Sequence, residues 1–161
     1  MFVNESLSPS FVRLAWCHGD LGIGLSLWKA GVITGNELWK REALEIFNHA
    51  SKRRDIQENH IKDGCVCHGT ASAAHVFRRM WWETRQSQYH ETAEYWIKQT
   101  LNFAKHNDGV AGYKAWLGDI TTAKGGNDEF GLLSGVTGIG LALMSALSDE
   151  PLHWDECLLM S

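Results

Sequence analysis

The tripeptide Cys-His-Gly occurs twice in this chain, as Cys17-His18-Gly19 and Cys67-His68-Gly69. Thiols and imidazoles, gathered in threes or fours, are the donors a zinc ion takes. A thiolate held in this way is either a structural tie or part of a reactive centre, according to whether one coordination position stays open. Each tripeptide stands at the same point of a repeated unit: WCHGDLGIGLSL at 16–27, VCHGTASAAHVF at 66–77 and LLSGVTGIGLAL at 132–143. Gly19, Gly69 and Gly135 are in register, and Gly22-Ile23-Gly24 returns as Gly138-Ile139-Gly140. The third copy has Leu133 and Ser134 where the others have Cys and His. Self-similarity at intervals of 50 and 66 residues is the mark of a repeat architecture. Donors in two copies and none in the third suggest a site grafted onto a scaffold.

The elements that must position these residues follow from periodicity. After Gly19, the apolar Leu21, Leu25, Trp28 and Ala30 predict a helix with Gly31 as its stop, and Ile23, Gly24 and Leu27 make it apolar nearly all round. Gly35-Asn36 then offers a cap. Trp39, Ala43, Ile46, Phe47 and Ala50 recur at helical spacing, with Glu37, Lys40, Arg41, Glu42 and Glu45 on the other faces. The second unit repeats the pair. An apolar stretch from Gly69 to Trp82 precedes an amphipathic one with Tyr89, Ala93, Trp96, Ile97 and Leu101 in phase. The third unit adds an apolar helix, Gly135 to Leu147, and the tail PLHWDECLLMS. Buried helices alternating with amphipathic ones predict an all-α protein with an inner and an outer layer. Residues 105–130 read as a long connector with room for a short hairpin around Tyr113 to Leu117.

Composition narrows the class. The 161 residues, 44 % apolar and with eight tryptophans, suit one globular domain, 1–161. A net charge of −4 does not suggest nucleic acid, and Lys52-Arg53-Arg54 is followed by Asp55 and Glu58, as in a solvated loop. No run of about 18 apolar residues exists to span a membrane. The segment MFVNESLSPSFV lacks the charged and apolar regions of a secretory signal, so a cytoplasmic location and reduced cysteines are expected.

Other motifs have plainer explanations. Gly22-Ile23-Gly24 is followed by no Lys-Ser/Thr, which sets aside a phosphate loop. His75 on the second apolar helix reads as a hydrogen-bonded core histidine, Trp81-Trp82 as the closure of a helix end, and Cys65 and Cys157 as packing or surface thiols. For Cys17, Cys67 and His68, spacing alone leaves ligation and packing equally open.

With these residues in view, the chain resembles the lanthionine synthetase C-like family, the lanthipeptide cyclases. The resemblance rests on a W-C-x-G segment at Trp16, the later Cys67-His68-Gly69, the Gly-rich helix after Gly135 and the tail Trp154-Asp155-Glu156-Cys157-Leu158-Leu159. It covers essentially the whole chain, but only about the carboxyl-terminal half of a full family member. It implies an α/α toroid, here partial with about three inner/outer helix repeats, and a zinc ion held by Cys17, Cys67 and His68. Arg13, four residues before Cys17, matches an arginine near the metal, and His18 stands where the family usually has tyrosine. The implied reaction is zinc-dependent addition of a cysteine thiol to dehydroalanine or dehydrobutyrine in a dehydrated precursor peptide, forming thioether rings. The implied partners are that peptide, a dehydratase or the amino-terminal half of the toroid, and a second copy in a homo-oligomer. Two alternatives stand beside it: addition of a small thiol such as glutathione to dehydroamino acids, and a non-catalytic helical module tied by zinc. A closed set of Cys17, Cys65, Cys67 and His68 favours the tie, and an open set of three favours catalysis.

Overall fold

The computed structural model describes residues 12–116 and 126–161. Among them five α-helices follow in order: α1 (Asp20–Thr34), α2 (Glu37–Ala50), α3 (Thr70–Thr84), α4 (Ser87–Asn102) and α5 (Val136–Leu147), with a 3-10 turn at Glu156–Leu158. The all-α expectation holds, and the described residues of the connector before α5 form isolated bridges, Val110 with Tyr113 and Ala115 with Asn127. Of the hairpin expected around Tyr113 to Leu117, Ala115 pairs across to Asn127, and Leu117 lies outside the described residues.

Gly35-Asn36 joins α1 to α2 and Arg85-Gln86 joins α3 to α4, so each packed pair is a tight αα-hairpin. The Asn36 side chain caps α2, accepting the Leu38 and Trp39 amides at 3.0 and 3.2 Å. Phe47, Phe77 and Tyr89 meet edge-on or tilted with ring centroids 6.0–6.1 Å apart, which locks α2, α3 and α4 together. α5 packs mainly on α3, and α1 touches α3 only lightly. The helices α1, α3 and α5 therefore form one layer, with α2 and α4 outside it.

The central member, α3, is buried without a break from Thr70 to Met80. The outermost, α1, is not apolar-packed all round as its composition suggested: Ile23 and Ile33 are 57 % and 83 % exposed. Among the described helices it has a neighbour within the layer on one side only, which leaves these apolar side chains exposed. Nor does α1 stop at Gly31. A Cβ there would lie 2.7 Å from Lys40 Cγ, so this glycine serves the approach of α2, and the helix ends at Gly35 with φ 66°.

The three glycines that open α1, α3 and α5 share a steric cause. None has the left-handed φ that favours glycine. Instead, the preceding loop folds back against them: an added Cβ would meet Arg13 O at 1.9 Å, Cys65 N at 2.3 Å and Gly131 N at 2.4 Å, respectively. The same backbone bond closes each loop, from Asp20 N–H to Arg13 O, Thr70 N–H to Asp63 O and Val136 N–H to Glu129 O. The loops are also laced to one another. Trp16 and Cys17 amides donate to Cys67 O at 3.2 and 3.3 Å, and Cys67 N–H donates to Leu133 O at 2.9 Å.

Candidate metal centre

Lacing the loops gathers the residues just before α1, α3 and α5 at one end of the layer. Cys17 comes from the first loop, and Cys67 and His68 from the second. One ligand atom from each lies within 4.8 Å of the others, and all three side chains are half-buried. The third loop has no donors of its own, but its Leu133 carbonyl holds the Cys67 amide. Two thiols and one imidazole converging this closely are a donor set that zinc fits. Burial, and then the neighbouring Cys17 thiol, push the Cys67 thiol up to about 12, while the Arg13 charge pulls it the other way. Without a cation the Cys67 thiol therefore keeps its proton at neutral pH.

Cys65 does not join this pair. It is 1 % exposed, and its sulfur accepts the His68 backbone amide at 3.4 Å. With Asp63 and His68 it makes a second group of ligand atoms within 4.8 Å of one another. Burial and the Asp63 charge push the Cys65 thiol far up.

Of the other residues singled out in the sequence, Arg13 is half-buried. Its Nη2 donates to the His60 carbonyl at 3.1 Å, and its charge bears on Cys67. His18 is exposed and stands apart from the donor set, on the rim of a groove of about 940 Å³ beside Cys17. The groove is mostly apolar, lined by Trp16, Ile23, Leu27 and Trp39, with Leu158 and Leu159 of the tail. Cys157 is exposed.

His75 is a buried core histidine hydrogen-bonded to Asp155, Nε2 to Oδ2 at 2.6 Å. Arg79 Nε donates to the same carboxylate oxygen at 2.6 Å, and its Nη2 reaches Oδ1 and the Leu152 carbonyl. Arg78 Nη2 donates to Ser148 O at 2.6 Å. Sequence reasoning passed over Asp63 and Asp155. An apolar helix with His75, Arg78 and Arg79 at its centre must find a buried counter-charge. Asp63 stands in repeat register with Arg13 and Glu129, and that alignment was the available signal for it.

The match to the family model described as lanthionine synthetase C-like protein runs over residues 3–159. The chain belongs to that family. Among solved structures it is similar to nisin cyclase, with a TM-score of 0.69 and 21 % sequence identity over 99 % of this chain and 34 % of that one. A likeness at that identity is one of fold, and it identifies the layered helices as part of an α/α toroid. This lanthionine synthetase C-like chain spans about a third of the length of nisin cyclase. No curated protein matches it. No described helix is long and apolar enough to cross a membrane.

Proposed function

We propose that the chain is a partial lanthionine synthetase C-like domain that holds one zinc ion through Cys17, Cys67 and His68 and serves peptide thioether formation. The observation that carries this reading is the grouping of donors: Cys17, Cys67 and His68 converge, while Cys65 turns to a different set. Three donors leave room for an incoming group, and four would close the site. A zinc ion bound there supplies the positive charge that keeps a substrate thiol deprotonated at neutral pH.

In the reaction the peptide thiolate adds to the β-carbon of dehydroalanine or dehydrobutyrine. The double-bond electrons move onto the carbonyl, and a proton is then delivered to the α-carbon. Arg13 carries a positive charge that favours negative charge at the thiol pair. His18 lines the groove, which supports a role in passing a proton to a peptide lying there. The apolar groove favours a peptide over a small hydrophilic thiol as the occupant beside Cys17. The proposed partners are accordingly a dehydrated precursor peptide and a polypeptide supplying the rest of the toroid.

A second reading has its own support. Cys17 and Cys67 lie on consecutive repeat loops, so a metal bound there would also tie the repeats.

Elemental analysis of wild type and Cys67→Ala, combined with an assay of addition to a dehydroalanine peptide by its own cysteine thiol and by free glutathione, separates these readings. We expect about one zinc per wild-type chain, little in the variant, and any activity only in the former. Equal zinc in both proteins would overturn the ligand assignment. Zinc loss with no activity even when the rest of a toroid is supplied would leave the structural tie.

A further inference from the structure

Asp63 takes no part in the reading above, yet it is the buried carboxylate nearest the candidate ligands. It is 2 % exposed. Two backbone amides fix its direction: Cys65 N–H donates to Oδ1 at 3.0 Å and Trp116 N–H to Oδ2 at 2.7 Å. So held, Oδ2 faces His68 Nε2 at 4.0 Å. His68 therefore belongs to two groups, one with the thiols of Cys17 and Cys67 and one with Asp63 and Cys65. A neutral imidazole has one N–H and one lone pair, and it can serve both groups only by turning the lone pair to a cation and the N–H to the carboxylate.

The repeat shows which part of this arrangement is loop-building. Position 129, in register with Asp63, holds Glu129, whose Oε1 accepts the Gly131 amide at 2.9 Å just as Asp63 Oδ1 accepts that of Cys65. One carboxylate oxygen thus organises the turn even in the copy that has no donors. The second oxygen of Asp63 accepts the Trp116 amide and, from that fixed position, also faces His68.

We infer that Asp63 is a positioning residue for His68: its carboxylate accepts the Nε2 proton and so presents Nδ1 to a cation shared with Cys17 and Cys67. The inference rests on the zinc reading given above. A gap of 4.0 Å exceeds a hydrogen bond, and a small reorientation of the imidazole on ligation closes it. Asp63 is not itself counted as a ligand, because both of its oxygens already accept backbone amides and the Cys65 sulfur is engaged by the His68 amide. Partners of this kind set the tautomer and orientation of a ligating histidine, and their loss weakens metal binding by about 10- to 100-fold.

The test uses the full chain as wild type, Asp63→Asn, Asp63→Glu and Cys65→Ala. Zinc affinity is measured by competition with a chromophoric chelator, and the thermal midpoint is measured on metal-free protein. The visible spectrum of the Co2+-loaded forms reports the ligand field. Asp63→Asn should weaken zinc binding about 10- to 100-fold and shift the cobalt bands, with the metal-free midpoint little changed. Asp63→Glu should recover most of the affinity, and Cys65→Ala should bind like wild type. Unchanged affinity in Asp63→Asn would overturn the inference. So would a loss that follows a fallen metal-free midpoint and is not recovered by glutamate, which would make Asp63 purely structural. Loss of metal in Cys65→Ala would overturn it by making Asp63 and Cys65 ligands. A wild type that binds no zinc would instead remove the zinc reading itself.

Discussion

The Cys67 thiol concentrates the chemistry of the proposed site in one group. Burial and the adjacent Cys17 thiol push it up to about 12, against the pull of Arg13, so binding a cation must displace a proton that the metal-free protein holds firmly. Ligation needs the thiolate, and protons compete with the metal for it. The sign follows directly: zinc affinity falls as pH falls, by about tenfold per pH unit for each thiol proton displaced. Metal occupancy titrated in zinc-buffered solutions between pH 8 and pH 5 checks this, and a flat response would argue against cysteine ligation.

Among the elements, α3 and the tail depend on each other. Burial alone would raise Asp155, but hydrogen bonds from His75 and Arg79, together with the Arg79 charge, hold its carboxyl well below the usual carboxylate range. His75 is lowered in turn, by burial first, and is neutral as it donates to Asp155. Both folded values lie below the unfolded ones, so both groups contribute stability that is present above the unfolded value and lost as pH falls. The loss due to His75 begins below about pH 6.5 and that due to Asp155 below about pH 4. Asp155→Ala leaves the Arg79 charge buried without its partner and should cost about 3–5 kcal/mol in denaturant titration. It should also blunt the acid sensitivity in the lower of the two windows.

The glycines of α5 make a sharper test of the same scale. A Cβ at Gly138 would lie 1.9 Å from Leu132 O, whereas one at Gly140 would meet nothing within 4 Å. Gly138→Ala should therefore lower stability by about 1–3 kcal/mol, and Gly140→Ala should raise it by about 0.5–1 kcal/mol. Thermal melts of the two variants should move in opposite directions.

At the scale of the whole molecule, the layer of α1, α3 and α5 has two open edges. Ile23 and Ile33 are exposed on α1, and Met144 and Leu147 on α5. Contiguous apolar faces of this kind favour association. The purified 161-residue chain should run above monomer mass in light scattering, and it should add thiols to a dehydroalanine peptide far more slowly than a complete cyclase. A second copy can cover the apolar edges, but it brings only the same residues to the site. A stable monomer with full turnover would refute this reading.

The sequence by itself determined the elements and their repetition. Helical periodicity and caps such as Asn36 act over one or two turns, and the register of Gly19, Gly69 and Gly135 records the same close backbone contact made three times. That register also placed Cys17, Cys67 and His68 at matching points. Whether their donor atoms meet, and that Cys65 groups with Asp63 and His68 and not with the other two thiols, was decided only when the loops were laced through Cys67 and Leu133. The exposure of α1, the contact role of Gly31 and the pairings of Asp63 with Trp116 and of Asp155 with Arg79 belong to the tertiary structure as well. Each depends on which surfaces the chain brings together across 9 to 76 residues, a distance over which local pattern holds no information.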